Sequence, residues 1–211
     1  MISLLFLGLL LGVRHAADPD HVVAVGAIVS RQRSLWRALS VGALWGLGHT
    51  ATIITVGGAI IVFKLVVPPR LGLALEFAVG MVLVALGIAN LVRREREAPS
   101  GASGMRALGI GVLHGLAGSA AVALLVLATI PDPRWAVAYL AIFGSGTMVG
   151  MVAMTAAVAM PSLYATARVP RFGARLRLAT GALSVVLGLF LMHETGVVSG
   201  LFSSAPQWSP H

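Results

Sequence analysis

Cysteine is absent from the 211 residues, and acidic side chains number only seven. Without a thiol there is no disulfide framework and no thiolate metal site. Charge of either sign is scarce, at 10% of residues against about 25% in an ordinary soluble domain, while 58% are hydrophobic. So few charges cannot solvate the surface of a water-soluble fold of this size, which excludes a soluble enzyme and a disordered chain. A phosphate-binding loop of the form G-x-x-x-x-G-K-[ST] is also missing, so this chain does not hydrolyse ATP. The formal net charge of +8 does not point to nucleic acid, because the basic residues sit in gaps between apolar runs. With a mean hydropathy of +0.94, the expected partner is the lipid bilayer.

Six apolar runs stand out, at 2–29, 41–63, 71–92, 107–130, 135–160 and 176–201. Each reaches the roughly 20 residues that cross a hydrocarbon core as a helix. Runs of this length without period-two alternation mean helices, since a backbone in lipid must satisfy its own hydrogen bonds. The expected fold class is therefore an all-α membrane protein with six transmembrane helices. The first run contains Pro19 and is expected to bend or break there. It has neither a basic start nor a small-residue cleavage site, so it reads as a span and not as a removable signal peptide.

Basic residues set the orientation. Arg31, Arg33, Arg37, Arg93, Arg94, Arg96, Arg106, Arg168, Arg171, Arg175 and Arg177 all fall in the odd-numbered connections. Only Lys64, Arg70 and Arg134 fall on the other side. The odd connections are thus cytoplasmic and both termini lie outside. Residues 93–106 read as a cytoplasmic linker between a first three-helix unit, 1–92, and a second, 107–201, with 202–211 as an extracytoplasmic tail.

The two units look like copies. GVRH at 12–15 matches GVLH at 111–114, ALWGLG at 43–48 matches AIFGSG at 141–146, and Gly80 with Leu86-Gly87 matches Gly181 with Leu187-Gly188. An odd number of spans per copy makes the second copy inverted, a common transporter architecture with its site near the midplane.

Ionisable residues concentrate in the first span, in RHAADPDH at 14–21. Such groups at mid-membrane depth are expensive and mark pathways by default. His15 and His21 offer imidazole nitrogens, and Asp18 and Asp20 offer carboxylate oxygens. With no thiol, that donor set suits a borderline divalent ion such as Ni²⁺, Co²⁺ or Zn²⁺. A break at Pro19 would bring His15, Asp20 and His21 together. Asp18 stands four residues after Arg14 and is expected to neutralise it on one helix face. His49, in WGLGHTAT beside Thr50, and His114, in GVLHGLAGSAA before Ser119, lie among small residues that let helices approach closely. His49 is expected beside the first-span histidines, with His114, Asp18, Thr50 and Ser119 along the pathway. In the inverted arrangement His114 stands opposite His15. The stripe of Met148, Met151 and Met154 reads as ordinary helix packing.

His15-x4-Asp20-His21 resembles the H-x4-D-H signature of the nickel/cobalt transporter family. LGHT at 47–50 looks like that family's second signature. LHGLAGSAA at 113–121 with FGSGTMVGM at 143–151 is similar to its shorter, urease-associated nickel permease branch. The longer members carry acidic residues in a later signature, where 143–156 here has none. The resemblance implies a plasma-membrane (inner-membrane) permease with Ni²⁺ or Co²⁺ as the transported substrate. It implies His15, Asp20, His21 and His49 as the metal-selecting residues, and no organic cofactor.

Other classes compete. A membrane-embedded metalloenzyme could hold a catalytic zinc on His15, His21 and His49, with Asp20 activating water. However, no HExxH is present and no extramembrane domain exists to present a substrate. A haem protein needs histidines at matching depth on facing helices, and the carboxylates beside these make a poor haem pocket. A metal exporter of a related family is the third alternative. The sequence leaves open whether the chain forms a homo-oligomer.

Overall fold

A computed structural model describes residues 2–65, 67–92, 100–117, 129–169 and 171–208, with the side chains of 100–103 outside the description. Among the described residues the secondary structure is helical throughout, with no strand. Helices α1 (Ile2–His15) and α2 (Pro19–Val29) are the two halves of the first apolar run. They meet at 51°. The break follows from Pro19, which disfavours helical backbone at the preceding residue. Asp18 accordingly takes φ −62° and ψ 146°, and Pro19 opens α2 at a position where its missing amide hydrogen costs nothing.

Helix α3 (Leu35–Thr52) runs through a π-helical turn at Ile53–Gly57 into α4 (Gly58–Phe63), giving one continuous span of 29 residues. It ends at Lys64, which takes a left-handed conformation. The span starts six residues before the expected 41, because Trp36 and Arg37 are helical: long amphipathic side chains can lie along a helix and reach polar surroundings. Helix α5 (Pro69–Val92) follows, then α6 (Ser100–Leu116). The expected fourth span, 107–130, extends into residues 118–128, which lie outside the described residues. Helix α7 (Pro133–Arg168) is 36 residues long and passes through Pro161. A left-handed Arg171 turns the chain into α8 (Phe172–His193), which ends in a second π-helical turn, Glu194–Val198. Among the described residues four helices are long and apolar enough to cross a membrane, or five if the bent α1–α2 pair is counted as one span.

Helix pairs meet through backbone at glycine. A Cβ on Gly12 of α1 would overlap the Phe143 carbonyl oxygen of α7, and one on Gly146 would overlap the Leu9 carbonyl. Gly111 of α6 lies against the Trp45 carbonyl of α3, and Gly48 against that of Leu108. On the α5–α8 pair, Gly80 and Gly188 meet each other's carbonyls, as do Gly87 and Gly181. Without strong hydrophobic driving force between helices in lipid, such close approach supplies the van der Waals contact that holds them. Polar contacts add to it: Ser184 donates to the Leu83 carbonyl at 2.7 Å, and Asn90 ties α5 to α2 through the Ala27 carbonyl at 2.7 Å. The chain end returns to α5, where Trp208 packs on Gly72 and donates its indole N–H to Glu76 at 2.8 Å.

Candidate metal centre

The break between α1 and α2 places His15 at the last turn of one helix and His21 in the first turn of the next. His49 comes from α3, and His114 from the end of α6. All four are buried, His15 most loosely at 6% exposure. One nitrogen from each of His15, His21 and His49 can be chosen so that the three lie within 4.8 Å of one another. His15 Nε2 and His49 Nε2 are 3.1 Å apart.

The hydrogen-bond partners fix which nitrogen faces the cluster. His15 Nδ1 lies 2.7 Å from Asp18 Oδ2, His21 Nδ1 lies 3.0 Å from the His15 carbonyl oxygen, and His114 Nδ1 lies 3.1 Å from the Ile110 carbonyl oxygen. Carbonyls and carboxylates only accept, so each Nδ1 carries the proton and each Nε2 presents a lone pair. Metal-ligating histidines are held in this way, with the distal N–H given to a carboxylate or a carbonyl. His21 Nε2 and His114 Nε2 are both buried without a hydrogen-bond partner. A buried polar atom left unpaired is costly, and a cation binding there would remove that cost.

The His15 carbonyl is itself a product of the break. Where the helix is interrupted, Asp18 N–H bonds back to that oxygen at 3.1 Å, and the His21 imidazole becomes its second donor. One interruption therefore supplies two ligand candidates and orients one of them.

Asp18 corrects the expectation made for it. Its carboxylate bonds to His15, while Arg14 is exposed. A helical spacing of four has no meaning across a helix that stops at His15. Asp20 adjoins the three-histidine group at His21, with Oδ1 4.0 Å from His21 Nδ1, and its Oδ2 lies 3.8 Å from His114 Nε2. His114 neighbours His21, with ring centroids 5.3 Å apart, and its second ring neighbour is Trp45, not His15. Thr50 donates to the Gly144 carbonyl at 2.8 Å and so joins α3 to α7. Ser119 lies outside the described residues. Met151 is in the apolar core, as packing predicts.

Two aromatic residues complete the walls. Phe143 lies against His15 at 5.7 Å and Trp45 against His114 at 5.1 Å. Sequence reasoning passed over both, although they occupy matching places in ALWGLG and AIFGSG.

Comparison with known proteins supports a lineage. The chain is 35% identical over 219 residues to the urease accessory protein UreH of Bacillus sp. (strain TB-90), covering 96% of each protein. It is 28% identical to the chloroplast protein FOR GROWTH AND FERTILITY 1 of Arabidopsis thaliana, over 86% of this chain and 56% of that one. For FOR GROWTH AND FERTILITY 2 of the same plant the identity is 25%, over 88% and 55%. The chain thus spans about half the length of the two chloroplast proteins. No family model and no solved structure matches it. Matched end to end with UreH above 30% identity, the chain belongs to the UreH family of urease accessory proteins.

Proposed function

We propose that this protein is a plasma-membrane permease that carries a divalent transition-metal ion, with Ni²⁺ the first choice and Co²⁺ the second. The observation that carries the reading is the group of three buried histidines at a broken intramembrane helix, His15, His21 and His49. Imidazole nitrogen suits Ni²⁺, Co²⁺ and Zn²⁺, and the relative named a urease accessory protein favours nickel among them. Asp20 is the acidic member of the site, beside His21 and His114. The reading is of a carrier because the histidines converge at a break between two apolar helices, beside Phe143 and Trp45.

The carrier reading includes six spans in two inverted repeats with both termini outside. Helix contacts support it, because they come in symmetric pairs. Gly12 against Phe143 corresponds to Gly111 against Trp45 after shifts of 99 and 98 residues, and Gly146 against Leu9 corresponds to Gly48 against Leu108. Gly80 against Gly188 exchanges with Gly181 against Gly87 at a shift of 101. A two-fold axis between the halves produces this pattern. Under the same shift His15 beside Phe143 becomes His114 beside Trp45.

The test is uptake of radioactive nickel by cells that express the protein, with cobalt, zinc and manganese as competitors. His15→Ala, His21→Ala and His49→Ala should each abolish accumulation while the protein stays in the membrane fraction at parent levels. Normal uptake by His15→Ala or His21→Ala would refute the assignment.

A further inference from the structure

Asp20 and His114 face each other in a way that the three-histidine group does not explain. Their nearest atoms, Oδ2 and Nε2, are 3.8 Å apart. That is beyond a hydrogen bond, whose heavy atoms lie within about 3.2 Å. His114 gives its one proton to the Ile110 carbonyl, which leaves Nε2 as a bare lone pair. An ionised carboxylate also offers only lone pairs. Two acceptors thus face each other with no hydrogen bond joining them.

A cation resolves this, and the separation fits one. Two metal–ligand bonds of about 2.0–2.2 Å hold their donor atoms about 3.4–4.2 Å apart as the angle opens from tetrahedral toward linear. A third donor is adjacent. The His21 ring lies 5.3 Å from that of His114, 4.8 Å from that of His15 and 5.2 Å from that of His49. The ring borders both groups, and its Nε2, buried without a hydrogen-bond partner, has one lone pair to give.

We infer that Asp20 and His114 form a second resting position for the transported divalent ion, and that His21 is the ligand shared between it and the His15–His49 position. The inference rests on the permease reading and deepens it. The ion passes from one pair to the other without losing His21, so it is never stripped of every protein ligand at mid-membrane depth. One ion occupies the two positions in turn. A single His21 lone pair cannot serve both at once, and two divalent ions this close would repel strongly in a medium of low dielectric. The charge changes along the way: the first position is built of neutral imidazoles, and the second adds a carboxylate.

The experiment is a Co²⁺ titration of purified protein, read by visible d–d absorption, with Ni²⁺ uptake measured on the same variants in cells. His114→Ala should bind Co²⁺ as the parent does within the error of the titration, yet lose more than about tenfold in uptake, the scale on which losing one metal-supporting contact acts. His15→Ala should still bind one Co²⁺, with a shifted spectrum and weaker affinity, and His15→Ala/His114→Ala should bind none. His114→Gln, which keeps the side chain's size and polarity, controls for folding and should match His114→Ala in uptake. Parent-level uptake by His114→Ala overturns the inference. So does a His15→Ala protein that binds no better than the double variant, the result expected if Asp20 and His114 hold only a proton. A parent protein that binds neither Co²⁺ nor Ni²⁺ would instead refute the permease reading, so the two failures are distinct.

Discussion

Removing the acceptor that orients His15 is the sharpest test of how the centre is built. Asp18→Ala deletes the carboxylate 2.7 Å from His15 Nδ1. The His15 ring is then free to place its proton on either nitrogen, and the tautomer with Nε2–H cannot bind a metal at that position. Loss of such an outer contact costs about 10–100-fold in metal affinity, equivalent to about 1.4–2.7 kcal/mol. Asp18→Asn should fall at the mild end, because an amide oxygen still accepts from Nδ1–H without the charge. Arg14→Ala should change little, since Asp18 pairs with His15 and Arg14 is exposed. Isothermal titration of nickel into the purified variants measures all three. If Arg14→Ala reproduces the loss seen in Asp18→Ala, or if Asp18→Ala binds as the parent does, the orienting contact of Asp18 on His15 is refuted.

The glycine contacts give a symmetric prediction: Gly12→Val and Gly111→Val press against the Phe143 and Trp45 carbonyls and should destabilise comparably, by about 1–3 kcal/mol or more. Thermal unfolding in detergent reads this, and a large loss in one with none in the other would contradict the paired packing. Because the chain has no native cysteine, Ser100→Cys should react with an impermeant thiol reagent only from the cytoplasm, and Ser204→Cys only from outside. Labelling of both from one side would refute the odd number of spans per half.

The break at Pro19 was legible because proline acts on its neighbours whatever the tertiary context, and with it came the approach of His15 to His21. The apolar runs were legible for the same local reason. What escaped were consequences of the break itself. Reading Arg14 and Asp18 as partners assumed a helix through both, yet the turn that Pro19 imposes ends α1 at His15 and swings Asp18 onto the imidazole. Hydropathy set the start of the second span at 41 because Arg37 diluted the average, although its backbone is helical. Trp208 has no periodic pattern around it, so nothing in the sequence connected it to Gly72 and Glu76, more than a hundred residues away. His114 was expected opposite His15 from the repeat. The kink instead sets His21 against both rings.

The closest helix contacts also set a timetable for assembly. Gly12 finds its partner carbonyl at Phe143, which leaves the ribosome about 130 residues later, or roughly 7–26 s at about 5–20 residues per second. Until then α1 must wait with its glycine face uncovered. Helix α3 waits for α6, and α5 for α8, in the same way. None of these pairs forms within residues 1–92, so the first half inserts long before it can pack, and the second half acts as its template. Expressed as separate fragments, each half would therefore lack its closest helix contacts until it met the other.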